Sequence, residues 1–115
     1  MYVLLTKVIL CASLLLGMLS DASAAVPVLT PPSKYNHTYK GKLYAQYVDR
    51  WGLAFRCGPM AYACSPIGGY MGSCVMTLPA KGTRFLEGTI DTKTLNALIK
   101  HERAHCNGWP ANHAN

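Results

Sequence analysis

Near the C-terminus of this 115-residue chain stand His101-Glu102-Arg103-Ala104-His105, an H-E-x-x-H run. On a helix, residues four apart lie one above the other, so both imidazoles can reach one metal ion. The glutamate between them points in a neighbouring direction, where its carboxylate can hold water beside that ion. Zinc lowers the pKa of water it binds from about 15.7 to about 7, and an adjacent carboxylate can then take the proton. Hydrolysis of a peptide bond is the reaction this arrangement serves best. Two histidines and a glutamate at fixed offsets arise by chance in roughly one chain of this length per few hundred. The surrounding residues therefore have to carry the reading.

They describe a helix built to present the run. Asp91 is a candidate N-cap for the segment that follows it. At 100° per residue, Leu95, Leu98, Ile99, Glu102 and Cys106 fall in a stripe about 80° wide. Lys93, Asn96, Lys100 and Arg103 fall on the opposite side, and His101 and His105 lie on one flank of the apolar stripe. Glu102 thus sits in the middle of the face expected to be buried. An unpaired buried charge costs several kcal/mol or is protonated, so a partner is expected there: metal-held water, an arginine or backbone amides. Gly108 is placed to stop the helix and Pro110 forbids its continuation. The chain must reverse, which brings His113 back under the helix as a possible third nitrogen ligand.

The whole run, H-E-x-x-H-x-x-G-W-P-x-x-H, resembles the zincin superfamily of metallopeptidases, and the glycine after the second histidine resembles the metzincin branch. The resemblance covers about 13 of the 115 residues. It implies His101 and His105 as zinc ligands and Glu102 as general base. The third metzincin histidine would fall at position 111, where Ala111 stands, so His113 rests on local geometry alone.

Residues 1–24 read as a signal peptide: Lys7 gives a positive start, Val8 to Leu19 is an apolar core, and Ala22-Ser23-Ala24 fits the signal-peptidase rule. The core is short for a membrane span, so no stable membrane insertion is expected after cleavage, and the chain is expected to be secreted or periplasmic. Cys11 leaves with the leader. Cys57, Cys64, Cys74 and Cys106 remain, an even number in a short exported chain, which points to two disulfides. Three connectivities are open. In one of them Cys57–Cys64 closes a small loop around Gly58-Pro59, and Cys74 ties Cys106, on the buried face of the metal-binding helix, to the rest of the domain.

Without Lys7 and Asp21 the chain keeps 10 basic and 4 acidic residues, so the net charge stays +6. That balance suits anionic surroundings, a cell surface among them, but the basic residues are scattered, and nucleic-acid binding is not expected. Residues 25–42, with Val26-Pro27 and Pro31-Pro32-Ser33, read as an extended linker, loose at its start. His37 within it reads as a solvated side chain. Residues 43–115 form one small metal-binding domain. Residues 43–52 fit strand or short helix equally. Leu53–Cys57, Ala61–Cys64 and Gly72–Pro79 are short β-prone runs, with a hairpin expected from Ala61 to Leu78. The expected fold class is α+β: a small single domain with a short antiparallel β-hairpin or sheet packed on a C-terminal active-site helix and stapled by disulfides. The resemblance to zincins implies an edge strand that holds substrate backbone; Tyr70–Leu78 is either that strand or an ordinary disulfide-tied one, and Tyr62 or Tyr70 would face the reaction's developing negative charge.

Three functions fit these residues. The first is an exported zinc-dependent hydrolase, a small peptidase acting on a peptide or protein substrate. The second is a zinc-binding module without turnover, and the third a metal-free, disulfide-rich secreted interaction protein.

Overall fold

A computed structural model describes residues 26–115. The signal-peptide assignment to residues 1–24 lies outside the described residues. Among those described, no helix is long and apolar enough to cross a membrane. The elements run β1 (Lys42–Val48), α1 (Arg50–Cys57), β2 (Ser73–Pro79), β3 (Arg84–Phe85), β4 (Gly88–Thr89) and α2 (Thr92–Cys106). The class is α+β, as expected, with two short sheets, a C-terminal helix and two disulfides.

The ambiguity of residues 43–52 has a physical resolution: the segment is both. Asp49 ends the strand and caps α1, its Oδ1 accepting the Gly52 amide at 2.8 Å. That cap satisfies an amide that would otherwise have no partner at the helix start. It also makes Leu53–Cys57 helical rather than the β-prone run expected, with Leu53 buried and Gly58 ending the turn at φ 106°. The crossover through α1 lets β1 and β2 pair in parallel, Lys42 opposite Ser73 and Val48 opposite Pro79. Parallel pairing needs a connection of a dozen residues or more, and residues 49–72 supply it.

The hairpin expected from Ala61 to Leu78 is reduced to isolated antiparallel bridges, Cys64 with Thr77 and Tyr70 with Ser73. The regular antiparallel pairing is the short β3–β4 hairpin, Arg84 opposite Thr89 and Phe85 opposite Gly88. β2 is consequently not an edge. β1 occupies one side, and on the other the Cys64 amide donates to the Thr77 carbonyl at 3.0 Å while the Thr77 amide donates back at 2.8 Å. The expected substrate-binding edge at Tyr70–Leu78 is therefore already taken.

Alternate residues of β2, Cys74, Met76 and Leu78, are buried and join Val26, Ile90, Leu98 and Cys106 in one apolar core. Val26 belongs to that core, so the segment before β1 is extended but packed at its start. Polar contacts strap it across α2: the Arg103 guanidinium donates to Asn36 Oδ1 at 3.1 Å, and Asn107 Nδ2 donates to the carbonyls of Tyr35 and His37. Arg103 is accordingly half-covered instead of solvent-facing. The disulfides take one of the three open connectivities, Cys57–Cys64 and Cys74–Cys106. They are the mark of an oxidising compartment.

α2 begins as its sequence dictates, with Asp91 Oδ1 accepting the Thr94 amide at 2.7 Å. That hydrogen bond, from the Thr94 backbone first, holds the Asp91 carboxyl below its ordinary value. A depressed folded-state pKa gives stability that is present above the unfolded-state value and lost as pH falls through the folded one. Asp91→Ala is therefore expected to lower the thermal midpoint at neutral pH. The gap to wild type should close in strong acid, as read by circular dichroism melts at both pH values.

Candidate metal centre

The end of α2 is closed by its last residues in a way that assembles the site. Gly108, at φ 101°, donates its amide to the His105 carbonyl at 2.9 Å, and the Trp109 amide reaches back to Ala104 at 3.0 Å. These are the two hydrogen bonds of a Schellman stop, for which glycine is the residue without steric cost. The stop tucks Trp109 against the helix end, where it is 2% exposed. Its indole stacks on the His105 ring, with centroids 4.9 Å apart and planes 17° from parallel. The indole N–H donates to the Ala114 carbonyl at 3.0 Å, which pins the tail. A turn closed by the His113 amide and the Pro110 carbonyl then presents the third imidazole, His113 adopting a left-handed φ of 58°.

The structure brings His101, His105 and His113 together, with ligand atoms all within 4.8 Å of one another. Nε2 of His105 lies 3.2 Å from Nε2 of His101, and Nε2 of His113 lies 3.1 Å from it. Four tetrahedral ligands at zinc bond lengths stand about 3.3 Å apart, so the spacing suits one small cation.

The far sides of the rings decide their protonation. His101 Nδ1 faces the Leu29 carbonyl at 2.9 Å and His105 Nδ1 faces the Trp109 carbonyl at 2.7 Å. A carbonyl only accepts, so each Nδ1 carries a proton and Nε2 is the atom each ring turns inward. Backbone carbonyls in this position are the usual outer partners of metal-binding histidines. Burial holds His101 below its ordinary value against the Leu29 contact, with a smaller push from the charge of His105, which disfavours a second proton on that ring. Burial, followed by the charges of His101 and His105, lowers His113 likewise. A metal ion shared by the three rings would relieve the close approach of their nitrogens without a further proton. The three histidines can hold a metal ion.

Glu102 is 4% exposed and lines the same groove, of about 510 Å³, as the three histidines. Burial raises its carboxyl above the ordinary value; the Ser65 hydrogen bond and the charges of His105 and His113 oppose that rise. Ser65 Oγ lies 2.8 Å from Glu102 Oε1 and 2.9 Å from the Glu102 carbonyl, so its single proton serves both. Ser65 is the partner that the buried carboxylate required, and no motif marks it in the sequence. It is held in place by its neighbour Cys64, which is tied at once to Cys57 and to β2. Tyr62 lines the groove; Tyr70 does not and is exposed. His37 lies outside the cluster, exposed, with its Nδ1 facing the adjacent Thr38 carbonyl.

Fold and site thus define a disulfide-stapled α+β domain with a trihistidine cluster beside a buried carboxylate. No protein-family model, curated protein or solved structure matches the chain.

Removing one of three ligands should cost more than altering an outer partner, which alone costs roughly 10–100-fold in affinity. His101→Ala is therefore expected to weaken divalent-metal binding by more than about 100-fold in calorimetric titration, with wild type taking one ion per chain.

Proposed function

We propose that the chain is a small zinc-dependent peptidase working outside the cytosol, in the periplasm or in secreted form. The observation that supports this best is the convergence of three imidazoles beside Glu102, two of them held from behind by backbone carbonyls and the third presented by the 110–113 turn. Three neutral imidazoles are a zinc donor set, and three protein ligands with an open fourth position is the catalytic rather than the structural pattern. Among the described residues, no fourth side chain completes the cluster. Zinc held there would supply polarisation of the scissile carbonyl and acidification of water.

The chain's own residues do the rest. His101, His105 and His113 hold the ion. Glu102 accepts the proton of the attacking water at a carboxylate oxygen and returns it to the nitrogen of the departing amine. Ser65, 2.8 Å from Oε1, fixes the rotamer that does it. A peptide suits the groove because Met60–Ser65 lines it. Cys64 turns its backbone groups to Thr77, and in extended chain the groups of its neighbours point the other way. Ala63 and Ser65 can therefore pair with an extended substrate by strand addition.

The test is incubation of the purified, disulfide-bonded protein, carrying one equivalent of zinc, with a mixed peptide library in ¹⁸O-enriched water. Cleavage should be stopped by a chelator and restored by zinc, and each new carboxylate should carry one heavy oxygen. A zinc-loaded protein that cleaves nothing refutes the proposal.

A further inference from the structure

α1 turns its largest apolar side chains away from the protein. Trp51 and Phe55, four apart and so on one face, are 84% and 92% exposed. Met60 at 87% and Leu86 at 95% are equally bare. Trp51, Met60 and Leu86 meet around one depression of about 500 Å³, together with Arg50 and Phe85. Single exposed apolar residues are ordinary, but a contiguous set of this kind marks an interaction surface.

We infer that this face docks on an anionic phospholipid membrane. Trp51, Phe55, Met60 and Leu86 enter the boundary between headgroups and acyl chains, and Arg50, which lines the depression, meets the lipid phosphates. Side chains this exposed project from the surface, which suits a deformable interface better than a preshaped cup.

Charge selects the occupant. The chain carries +6, so a second copy would bring like charge to like, whereas an anionic bilayer attracts it. Arg50 lies within the patch, its guanidinium 5.8 Å from the centre of the Phe85 ring. Two acidic residues lie close by: Asp49, whose carboxylate is already engaged by the Gly52 amide, and Glu87, which lines the depression itself and leaves the net charge of the whole chain to draw the face to an anionic surface. The inference does not depend on the peptidase reading.

The chain has two tryptophans, and Trp109 is already buried, so a change in emission on adding vesicles reads Trp51. With vesicles of equal parts phosphatidylglycerol and phosphatidylcholine, the emission should shift to the blue and the protein should sediment with the lipid. Pure phosphatidylcholine should bind more weakly. A Trp51→Ser/Phe55→Ser/Leu86→Ser variant should bind anionic vesicles more than about 100-fold more weakly, the scale of two large apolar side chains left in water. Absence of the blue shift on anionic vesicles, or equal binding by the variant, overturns the inference. So does a dimer in sedimentation equilibrium that the same substitutions abolish, which would make a second copy the occupant.

Discussion

Glu102→Gln is expected to keep one zinc ion per chain while slowing peptide hydrolysis by about 10²–10⁴-fold, the range that a positioned general base contributes. The substitution keeps the shape of the side chain and its ability to accept from Ser65 Oγ, 2.8 Å away. It removes only the site that takes a proton. The three imidazoles stay fixed by Leu29, Trp109 and the 110–113 turn, so metal stoichiometry by elemental analysis should not move. Full hydrolysis in the variant would show that another group accepts the proton. Loss of zinc together with activity would show instead that Glu102 supports the cluster rather than the reaction.

Opening the Cys74–Cys106 bridge by double substitution with alanine should be the most damaging change to stability. The bridged residues are 32 apart, a loop worth roughly 3–4 kcal/mol on the chain-entropy account. Typical total stabilities are about 5–15 kcal/mol, and in a domain this small the loss corresponds to a fall of about 12–30 °C in the thermal midpoint. The Cys57–Cys64 bridge, spanning 7 residues, is worth about 2 kcal/mol on the same account and should cost correspondingly less. The two variants melted side by side decide the ranking; a reversed order would mean that the short loop carries more of the fold than its length implies. Cys106 follows His105 directly, so the long bridge also anchors a ligand-bearing turn, and its removal should loosen metal binding.

The parts legible in the sequence are those whose physics is local. α2 could be read from Asp91, from the spacing of Leu95, Leu98 and Ile99, and from Gly108, because cap, periodicity and stop are all short-range. The same locality put His113 within reach of His101. Leu53–Cys57 was misread because five residues carry too little periodicity to separate helix from strand, and the deciding signal, the Asp49 cap, lies outside the run. The parallel pairing of β1 with β2 depends on how a 24-residue connection folds, which no dipeptide encodes. The carbonyls that orient His101 and His105 belong to the backbone and carry no residue identity. Ser65 lies 37 positions from Glu102, and one hydroxyl among many gives no pattern to find. The stacking of Trp109 on His105 had a signal after all: a large apolar residue directly after a stop glycine is placed to fold onto the last turn.

The bond between Cys74 and Cys106 also imposes a direction on how the molecule matures. Before oxidation, the chain offers free thiolates beside the imidazoles, and sulfur is a softer donor that zinc accepts readily. A newly made, reduced chain meeting zinc can therefore be captured in a wrong coordination shell. Once the sulfurs are joined, the soft donors are gone and the imidazoles remain, with the Glu102 carboxylate beside them. On the proposed zinc site, oxidation first and metallation second is the productive order: a chain refolded with zinc present before its sulfurs are paired should yield less of the correctly assembled product than one given the ion afterwards.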